Sequence, residues 1–165
     1  MTDLSDRTIS IVLPTYNERE NVTLMCERIR LSLEAFWPFE IIVVDDNSPD
    51  GTASCVQSIA MENSNVRLIQ RPQKLGLGSA IRDGFRLAKG NILVMMDADL
   101  SHGPEYIPQL IHSLSKADIV VGSRYVPGGG TVGWTLRRVI ASKVANLLGR
   151  IVVGIPCRDV TSGFA

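Results

Sequence analysis

The stretch that decides the fold is ILVMMDAD, residues 92–99. It joins a run of consecutive apolar residues to two aspartates, Asp97 and Asp99, which are separated by one alanine. A continuous apolar run of this kind is typical of a β-strand that is buried on both faces, as the strands of a parallel sheet are. The sequence therefore predicts a buried strand with two carboxylates at its carboxyl end.

The same pattern recurs along the chain. Apolar runs predict further strands at residues 9–13, 41–44, 66–69 and 119–121. Amphipathic stretches predict helices at residues 20–36, 52–61, 78–89, 104–115 and about 134–153. Strands that alternate with helices through short connections predict a Rossmann-like α/β fold, in which helices flank both faces of a mostly parallel sheet. The 165 residues are enough for one such domain and too few for two.

The composition excludes several classes of protein. With 45% hydrophobic and 21% charged residues, the chain is neither collagen-like nor largely disordered. Its 17 basic and 17 acidic side chains cancel, which argues against a general nucleic-acid binder. Three widely spaced cysteines form no C-x-x-C pair, so they indicate a reducing compartment rather than a disulfide framework or a zinc site.

The charge is unevenly distributed along the chain. Residues 1–118 contain 11 basic and 16 acidic side chains, whereas residues 119–165 contain six basic ones and a single acid, Asp159. Such a basic segment can bind a phosphate or an anionic membrane surface, or it can form a solvated face, and charge alone leaves both open. No stretch reaches the roughly 18 uninterrupted apolar residues of a membrane span, so no crossing is predicted.

Polar side chains follow the predicted strands at the points where the strands end. They are Pro14–Glu18, Asp45–Ser48, Arg71, Asp97–Asp99 and Ser123–Tyr125. In an open parallel sheet, ligands bind beyond the carboxyl ends of the strands. Carboxylates that gather there repel one another unless a cation or a hydrogen-bonding ligand is present. The sequence therefore predicts one shared site at this edge of the sheet.

Each candidate has a functional and a structural interpretation. Asp97 and Asp99 could share a hard divalent cation with a diphosphate, or they could cap the following helix. Asp46 could accept hydrogen bonds from a ribose or a base, or it could stabilise the turn that follows it. Tyr16 offers a ring face for a nucleobase, although a single tyrosine often serves packing alone. Arg138 and Ser142, one helical turn apart, could grip a phosphoryl group or belong to a surface stripe.

Two common nucleotide motifs are absent. The glycines of residues 76–78 do not complete G-x-G-x-x-G, and they follow the third predicted strand rather than the first. No G-x-x-x-x-G-K occurs either. These absences weaken a dehydrogenase or a kinase interpretation.

Taken together, the strand-end motifs resemble those of a known family. PTYNE at residues 14–18, VDDNSPDGT at 44–52, DADLSH at 97–102 and GSRY at 122–125 are similar to the motifs of the family 2 glycosyltransferases, which have the GT-A fold. Downstream, GGG at 128–130, Arg137–Arg138, Ser142 and DVTSGF at 159–164 resemble the polyprenyl-phosphate mannosyltransferase branch of that family.

The resemblance implies a role for each of these positions. The residues implied to bind the nucleotide sugar are Pro14, Tyr16, Glu18, Val44, Asp46, Asp97, Ala98, Asp99 and Arg124. Among them, Asp99 would be the direct ligand of Mg²⁺ or Mn²⁺ beside Asp97, and Arg124 would contact the donor diphosphate. Ser101 stands where some members carry a further metal ligand. Arg138 and Ser142 would receive the acceptor phosphate, which makes Asp99, Arg124 and Arg138 the implied catalytic residues.

The implied reaction is an inverting transfer of mannose from GDP-mannose to a polyprenyl (dolichyl) phosphate. The acceptor is already ionised near neutral pH, so no protein base is needed to activate it. The enzyme would work as a peripheral protein at the cytoplasmic face of the membrane. A UDP-sugar donor, or a nucleotide-binding fragment without turnover, is the alternative. Because family members continue beyond the final DVTSGF motif, we also expect the chain to be truncated at its C-terminus.

Overall fold

A computed structural model describes residues 7–126, 129–130, 135–152, 154 and 157–165, with the side chains of residues 136, 138 and 150 left out. The elements follow one another in the order β1 (Ile9–Thr15), α1 (Arg19–Leu33), β2 (Phe39–Asp45), α2 (Thr52–Glu62), β3 (Val66–Gln70), α3 (Leu77–Leu87), β4 (Ile92–Met95), a 3₁₀ turn (Pro104–Tyr106), α4 (Ile107–Ser113) and α5 (Leu136–Val152).

The four strands form one parallel sheet in the order β3-β2-β1-β4. The chain steps outward from β1 to β3 and then crosses to the other side of β1 to add β4. The strand order therefore reverses between β1 and β4. In open α/β sheets this reversal leaves a crevice at the carboxyl ends of the strands, which is where ligands bind. Asp97 and Asp99 follow β4 at this point.

Alternate residues of the strands face two separate cores. Ile9, Ile11 and Leu13 of β1 pack in the larger core with apolar residues of α1, α2 and α4. Val12 faces the other way, into a smaller core with α3. Helix α3 lies so close to the sheet there that a Cβ at Gly84 would stand 2.5 Å from Val12 Cγ1. The prediction of helices on both faces of a parallel sheet is confirmed.

The fifth predicted strand, residues 119–121, is wrong. Ile119 is 76% exposed, and these residues form no ladder with β4. The C-terminal segment lies there instead, because Ala165 exchanges two backbone hydrogen bonds with Met95, of 2.8 and 3.1 Å. Gly122 then donates to the Phe164 carbonyl at 2.9 Å, so the chain around residue 120 lies outside this segment.

The helix predicted at about residues 134–153 is α5, which presents a row of exposed apolar side chains. They are Ile140, Val144, Leu147, Leu148, Ile151 and Val152. Ser142 and Asn146 lie buried on another face of the helix. Among the residues that the structure describes, no helix is long and apolar enough to span a membrane.

Candidate active site

The site falls into two halves along the carboxyl edge of the sheet. We call the loops after β1, β2 and β3 (residues 14–19, 45–52 and 71–76) the nucleotide half. We call residues 97–102, 122–125 and 159–165, together with Ser142, the transfer half. Adjacent parallel strands bring the two halves side by side, since β1 lies between β2 and β4.

Asp45 fixes the loops of the nucleotide half from inside. Its buried carboxylate accepts hydrogen bonds from Thr15 Oγ1 at 3.1 Å and from the Ser48 amide at 2.9 Å. The Ser48 hydroxyl in turn accepts the Asn17 amide at 3.0 Å, which ties the loop after β1 to the loop after β2. Asn17 and Asn47 adopt positive φ angles of 62° and 58°, a conformation that asparagine tolerates better than most residues.

Asp46 is engaged by the loop that follows β3. Its carboxylate accepts the amides of Leu75 at 3.2 Å and Gly76 at 2.8 Å, and it forms an ion pair with Arg71. Arg71 is only 4% exposed and also donates to Ser79 Oγ at 2.6 Å and to the Gly76 carbonyl at 3.0 Å. The sequence placed Arg71 at a strand end but gave it no partner. Asp46 and Arg71 together hold residues 71–76 against the tip of β2.

The remaining predicted nucleotide residues differ in accessibility. Tyr16 is 38% exposed, and the Lys74 ammonium lies 3.4 Å from the centre of its ring. Glu18 accepts a hydrogen bond from the Asn21 amide side chain at 2.8 Å. Val44, the residue before the last one of β2, is fully buried against α3. Pro14 is half-buried at the end of β1.

The transfer half begins with the Asp97–Asp99 loop. Asp97 is half-buried, Ala98 is buried and Asp99 is exposed. Burial raises the pKa of Asp97, and the charge of Asp99 raises it further, while His102 and Arg124 oppose the shift. The Asp99 carboxylate accepts the amide of Ser101, itself exposed, at 2.9 Å. Between them, Leu100 has a positive φ of 63°.

The two aspartates supply carboxylate oxygens, the ligand type that hard divalent cations prefer. Burial is the main cause of the raised pKa of Asp97 and the charge of Asp99 adds to it, and a bound cation would offset both. Within the described part of the chain, no three His, Cys, Asp or Glu side chains form a group that could hold a metal ion by themselves. Mg²⁺ sites in many enzymes use one or two carboxylates together with substrate phosphates.

His102 ends the DADLSH motif of this loop, and the sequence patterns assign it no role of its own. Its Nδ1 accepts the Asp97 amide at 3.1 Å, which puts the proton of the neutral ring on Nε2. Burial lowers the pKa of His102, although the charges of Asp97 and Asp99 act in the opposite direction. The ring stacks on Phe164, with 5.4 Å between centroids and 20° between planes. His102 therefore closes the loop on itself and packs it on the C-terminal segment.

Arg124 is held by Asp159, a partner that the sequence did not reveal. The guanidinium donates through Nε at 2.7 Å and Nη2 at 2.6 Å to the two carboxylate oxygens, and the Arg124 amide donates at 3.1 Å. Burial alone would raise the pKa of Asp159, but these hydrogen bonds and one from Thr161 lower it to about 2. The only signal for this pairing was that Asp159 is the single acid of the basic segment.

The two residues implied in acceptor binding lie on α5. The Ser142 hydroxyl is buried in a chain of hydroxyl groups, because it accepts from Tyr125 at 2.9 Å and lies 2.9 Å from Thr161 Oγ1. Thr161 links this chain to Arg124, which donates to it at 2.6 Å. The Arg138 side chain lies outside the described residues. The roles of all these residues stay predictions.

Comparison with known proteins decides the family. Residues 10–165 match the sequence profile of glycosyl transferase family 2. The chain belongs to this family. It is 43% identical over 159 residues to a dolichol-phosphate mannosyltransferase of Pyrococcus furiosus, covering 94% of this chain and 45% of the relative. It is also 42% identical over 159 residues to a polyprenol monophosphomannose synthase of Mycolicibacterium smegmatis, covering 93% of this chain and 59% of the relative.

Solved structures confirm the GT-A prediction. A mannosyltransferase of Pyrobaculum calidifontis, in complex with GDP-Man and Mn²⁺, aligns with a TM-score of 0.60 at 26% identity over 68% of this chain and 34% of that one. A glucosyl-3-phosphoglycerate synthase of M. tuberculosis aligns with a TM-score of 0.65 at 25% identity, and the alignment covers 96% of this chain and 57% of the synthase. The chain thus spans only about half the length of the proteins it resembles.

Proposed function

We propose that the 165 residues form one GT-A domain of a metal-dependent, inverting mannosyltransferase, with GDP-mannose as donor and a polyprenyl (dolichyl) phosphate as acceptor. The observation that carries the proposal is the position of the Asp97–Asp99 loop at the carboxyl end of β4, where the strand order reverses. The names of the relatives support the choice of mannose and of a lipid phosphate. A solved neighbour with bound GDP-Man and Mn²⁺ supports the donor and the metal.

The nucleotide half would bind the guanine nucleotide. Tyr16 is exposed enough to stack on a base, and Pro14, Glu18 and Val44 border the same edge. Asp46 would contribute chiefly by fixing the loop of residues 71–76, because its carboxylate is already engaged there.

The transfer half would carry the reaction. Asp97 and Asp99, with Ser101 beside them, would hold Mg²⁺ or Mn²⁺, which supplies positive charge to the departing diphosphate when bound. Arg124 adds a second positive charge there. An acceptor phosphate oxygen forms the new bond to the anomeric carbon from the opposite side, the bond to the GDP oxygen breaks, and the configuration inverts.

The reaction does not need a general base from the protein. A phosphate monoester is largely ionised near pH 7, so the attacking oxygen needs no protein base. His102 is not placed as one, since its Nδ1 is occupied by the Asp97 amide and burial lowers its pKa. Arg138 and Ser142 would receive the acceptor phosphate. To reach the Ser142 hydroxyl, the phosphate must displace Tyr125 or Thr161.

The test is a transfer assay with the purified chain, labelled GDP-mannose, Mn²⁺ and a short polyprenyl phosphate. We expect a labelled lipid, its loss with Asp99→Asn, and its retention with Asp118→Asn, a matched change at an exposed acid that follows α4. A parallel arm with UDP-glucose tests the alternative donor. If GDP binds with Mn²⁺ but neither donor yields a lipid product, the chain is a nucleotide-binding fragment without turnover, and the proposed activity is wrong.

We further propose that α5 rests on the cytoplasmic face of a membrane. The apolar row from Ile140 to Val152 is exposed and repeats at helical spacing, as in helices that lie in a lipid interface. Arg137 and Lys143 on the same helix are exposed and basic, and no acid occurs between residues 119 and 158. This charge suits an anionic lipid surface.

Vesicle sedimentation tests the membrane contact. We expect the chain to bind vesicles of phosphatidylglycerol and phosphatidylcholine, and to bind pure phosphatidylcholine less. Leu147→Glu should release the chain from the vesicles, whereas Leu31→Glu on α1 should not. Leu31 is the matched control because the two leucines are similarly exposed, Leu147 at 56% and Leu31 at 58%. Equal loss in both variants would contradict a specific role of α5.

A further inference from the structure

The C-terminal segment, Asp159 to Ala165, contacts each of the other parts of the transfer half. Ala165 pairs with Met95 at the end of β4, just before the Asp97–Asp99 loop. The Phe164 carbonyl accepts the Gly122 amide at 2.9 Å, and the Ser162 hydroxyl donates to the Gly122 carbonyl at 2.7 Å. The segment therefore lies between the loop after β4 and the residues that lead to Arg124.

Gly163 lies directly against the Asp97 carboxylate. A Cβ added at Gly163 would stand 2.7 Å from Asp97 Oδ2 and 3.0 Å from Oδ1. The backbone of Gly163 is not in the left-handed region, unlike that of Gly51, Gly76 and Gly154. Glycine is therefore required here for space rather than for conformation, and the space is the one that the Asp97 carboxylate occupies.

Phe164 supports the same loop through His102. Its ring is 5% exposed and stacks on the His102 imidazole, which accepts the Asp97 amide. On the Gly122 side the fit is equally close, because a Cβ at Gly122 would stand 2.8 Å from Phe164 Cδ1. The phenyl ring thus fixes the spacing between residue 122 and the loop of residues 97–102.

At its other end the segment holds Arg124. Asp159 binds the Arg124 side chain through two charged hydrogen bonds and its amide through a third. One run of seven residues therefore fixes a metal-binding carboxylate and an arginine whose charge reaches it. We propose that residues 159–165 are a clamp that sets the Asp97 carboxylate relative to Arg124, with Gly163 and Phe164 as positioning residues for metal binding. This inference rests on the proposed function.

The test compares Gly163→Ala with Gly78→Ala in the 165-residue chain. Gly78 on α3 is exposed and has no atom within 4 Å of an added Cβ, so it controls for the change itself. The readouts are Mn²⁺ affinity with saturating GDP, from the EPR signal of free Mn²⁺, GDP affinity in EDTA, and the thermal unfolding temperature. We expect Gly163→Ala to weaken Mn²⁺ binding about tenfold or more, as changes around metal ligands do, and to leave metal-free GDP binding unchanged.

A second variant keeps the clamp testable if Gly163→Ala does not fold. Phe164→Leu retains an apolar side chain but gives up the ring stack on His102, and it should weaken Mn²⁺ binding about threefold. Wild-type Mn²⁺ affinity in either folded variant would overturn the clamp while leaving the proposed function intact. A wild-type chain that binds no Mn²⁺ with GDP would instead contradict the proposed function, and the clamp with it.

Discussion

Each half of the site contains a buried aspartate paired with an arginine, and the two pairs differ in what they leave accessible. In the nucleotide half, the Asp46 side chain is 7% exposed and the Arg71 side chain 4%. Arg71 also donates hydrogen bonds to Ser79 and to the Gly76 carbonyl. In the transfer half, Asp159 is fully buried but Arg124 keeps 20% of its side chain exposed. One arginine is enclosed by its own loop, whereas the other remains accessible beside the Asp97–Asp99 loop.

The difference indicates that the two aspartate–arginine pairs have different roles. The charge of Arg124 opposes the rise that burial causes in the pKa of Asp97, so it acts on the Asp97–Asp99 loop. Arg71 binds Asp46 and the Gly76 carbonyl in its own half, and Ser79 and Asp83 on the adjoining helix α3. We therefore expect substitution of Arg71 to affect stability first, and substitution of Arg124 to affect the reaction first.

The largest expected effect is on the enclosed pair. Arg71→Met leaves Asp46 as a buried carboxylate without its cation, which costs about 3–5 kcal/mol in the free energy of unfolding. Urea denaturation followed by circular dichroism measures it. The double variant Asp46→Asn with Arg71→Met removes the uncompensated charge, so it should be more stable than Arg71→Met alone. If the single variant were as stable as the wild type, Arg71 would not be the anchor of this loop.

Arg124→Lys tests the more accessible pair. Lysine keeps the charge but cannot reproduce the two-pronged contact with Asp159, so the cation is no longer fixed. We expect mannosyl transfer to slow about 100-fold, equivalent to about 2.7 kcal/mol in the barrier, through loss of positioned charge. Arg82→Lys on α3 is the control, because Arg82 is 62% exposed and its ion pair with Asp83 is long, at 3.8 Å. Equal rates of mannosyl transfer in the two variants would show that Arg124 has no role in the reaction.

The Asp159–Arg124 pair also predicts a pH dependence of stability. The pKa of Asp159 is about 2 in the folded chain, below its ordinary 3.8, so the folded state binds this proton less tightly than the unfolded state. The stabilisation, about 2 kcal/mol, is complete above about pH 5 and is lost as pH falls from 4 towards 2. Asp159→Asn lacks this dependence. The difference in unfolding free energy between wild type and variant, measured by urea denaturation from pH 2 to 7, should shrink at the acidic end; a constant difference would contradict the assignment.

The same comparison explains how much of the molecule the sequence could reveal. The four strands and the loops directly after β1 and β2 follow from local patterns, because apolar runs and the turn formers after them are adjacent in the chain; the Asp46–Arg71 pair does not. The transfer half depends on contacts between distant segments: Arg124 and Asp159 are 35 residues apart, and Phe164 meets His102 across 62 positions.

The failed fifth strand has the same cause. The run of residues 119–121 has β-type composition, but the edge of β4 at Met95 is taken by Ala165, and nothing local to either segment shows which of them pairs there. The sequence gives no role for His102 for a related reason, since its ring stacks on Phe164 of the C-terminal segment. The sequence patterns therefore identified the ends of β1 to β4, while the contacts made by the C-terminal segment required coordinates.

The smallest effect concerns a residue with positive φ in each half. Asn47 at 58° suits that conformation, so Asn47→Gly should change the unfolding free energy by a few tenths of a kcal/mol, and Asn47→Ala should cost about 1 kcal/mol. Leu100 at 63° does not suit it, yet its side chain packs against the larger core. Leu100→Gly relieves about 1 kcal/mol of backbone strain and gives up a similar amount of packing, so its net cost should stay below about 1 kcal/mol. Urea denaturation of the three variants decides the point. A loss of 2–3 kcal/mol for Leu100→Gly, roughly the value for a fully buried leucine, would mean that packing alone governs this position.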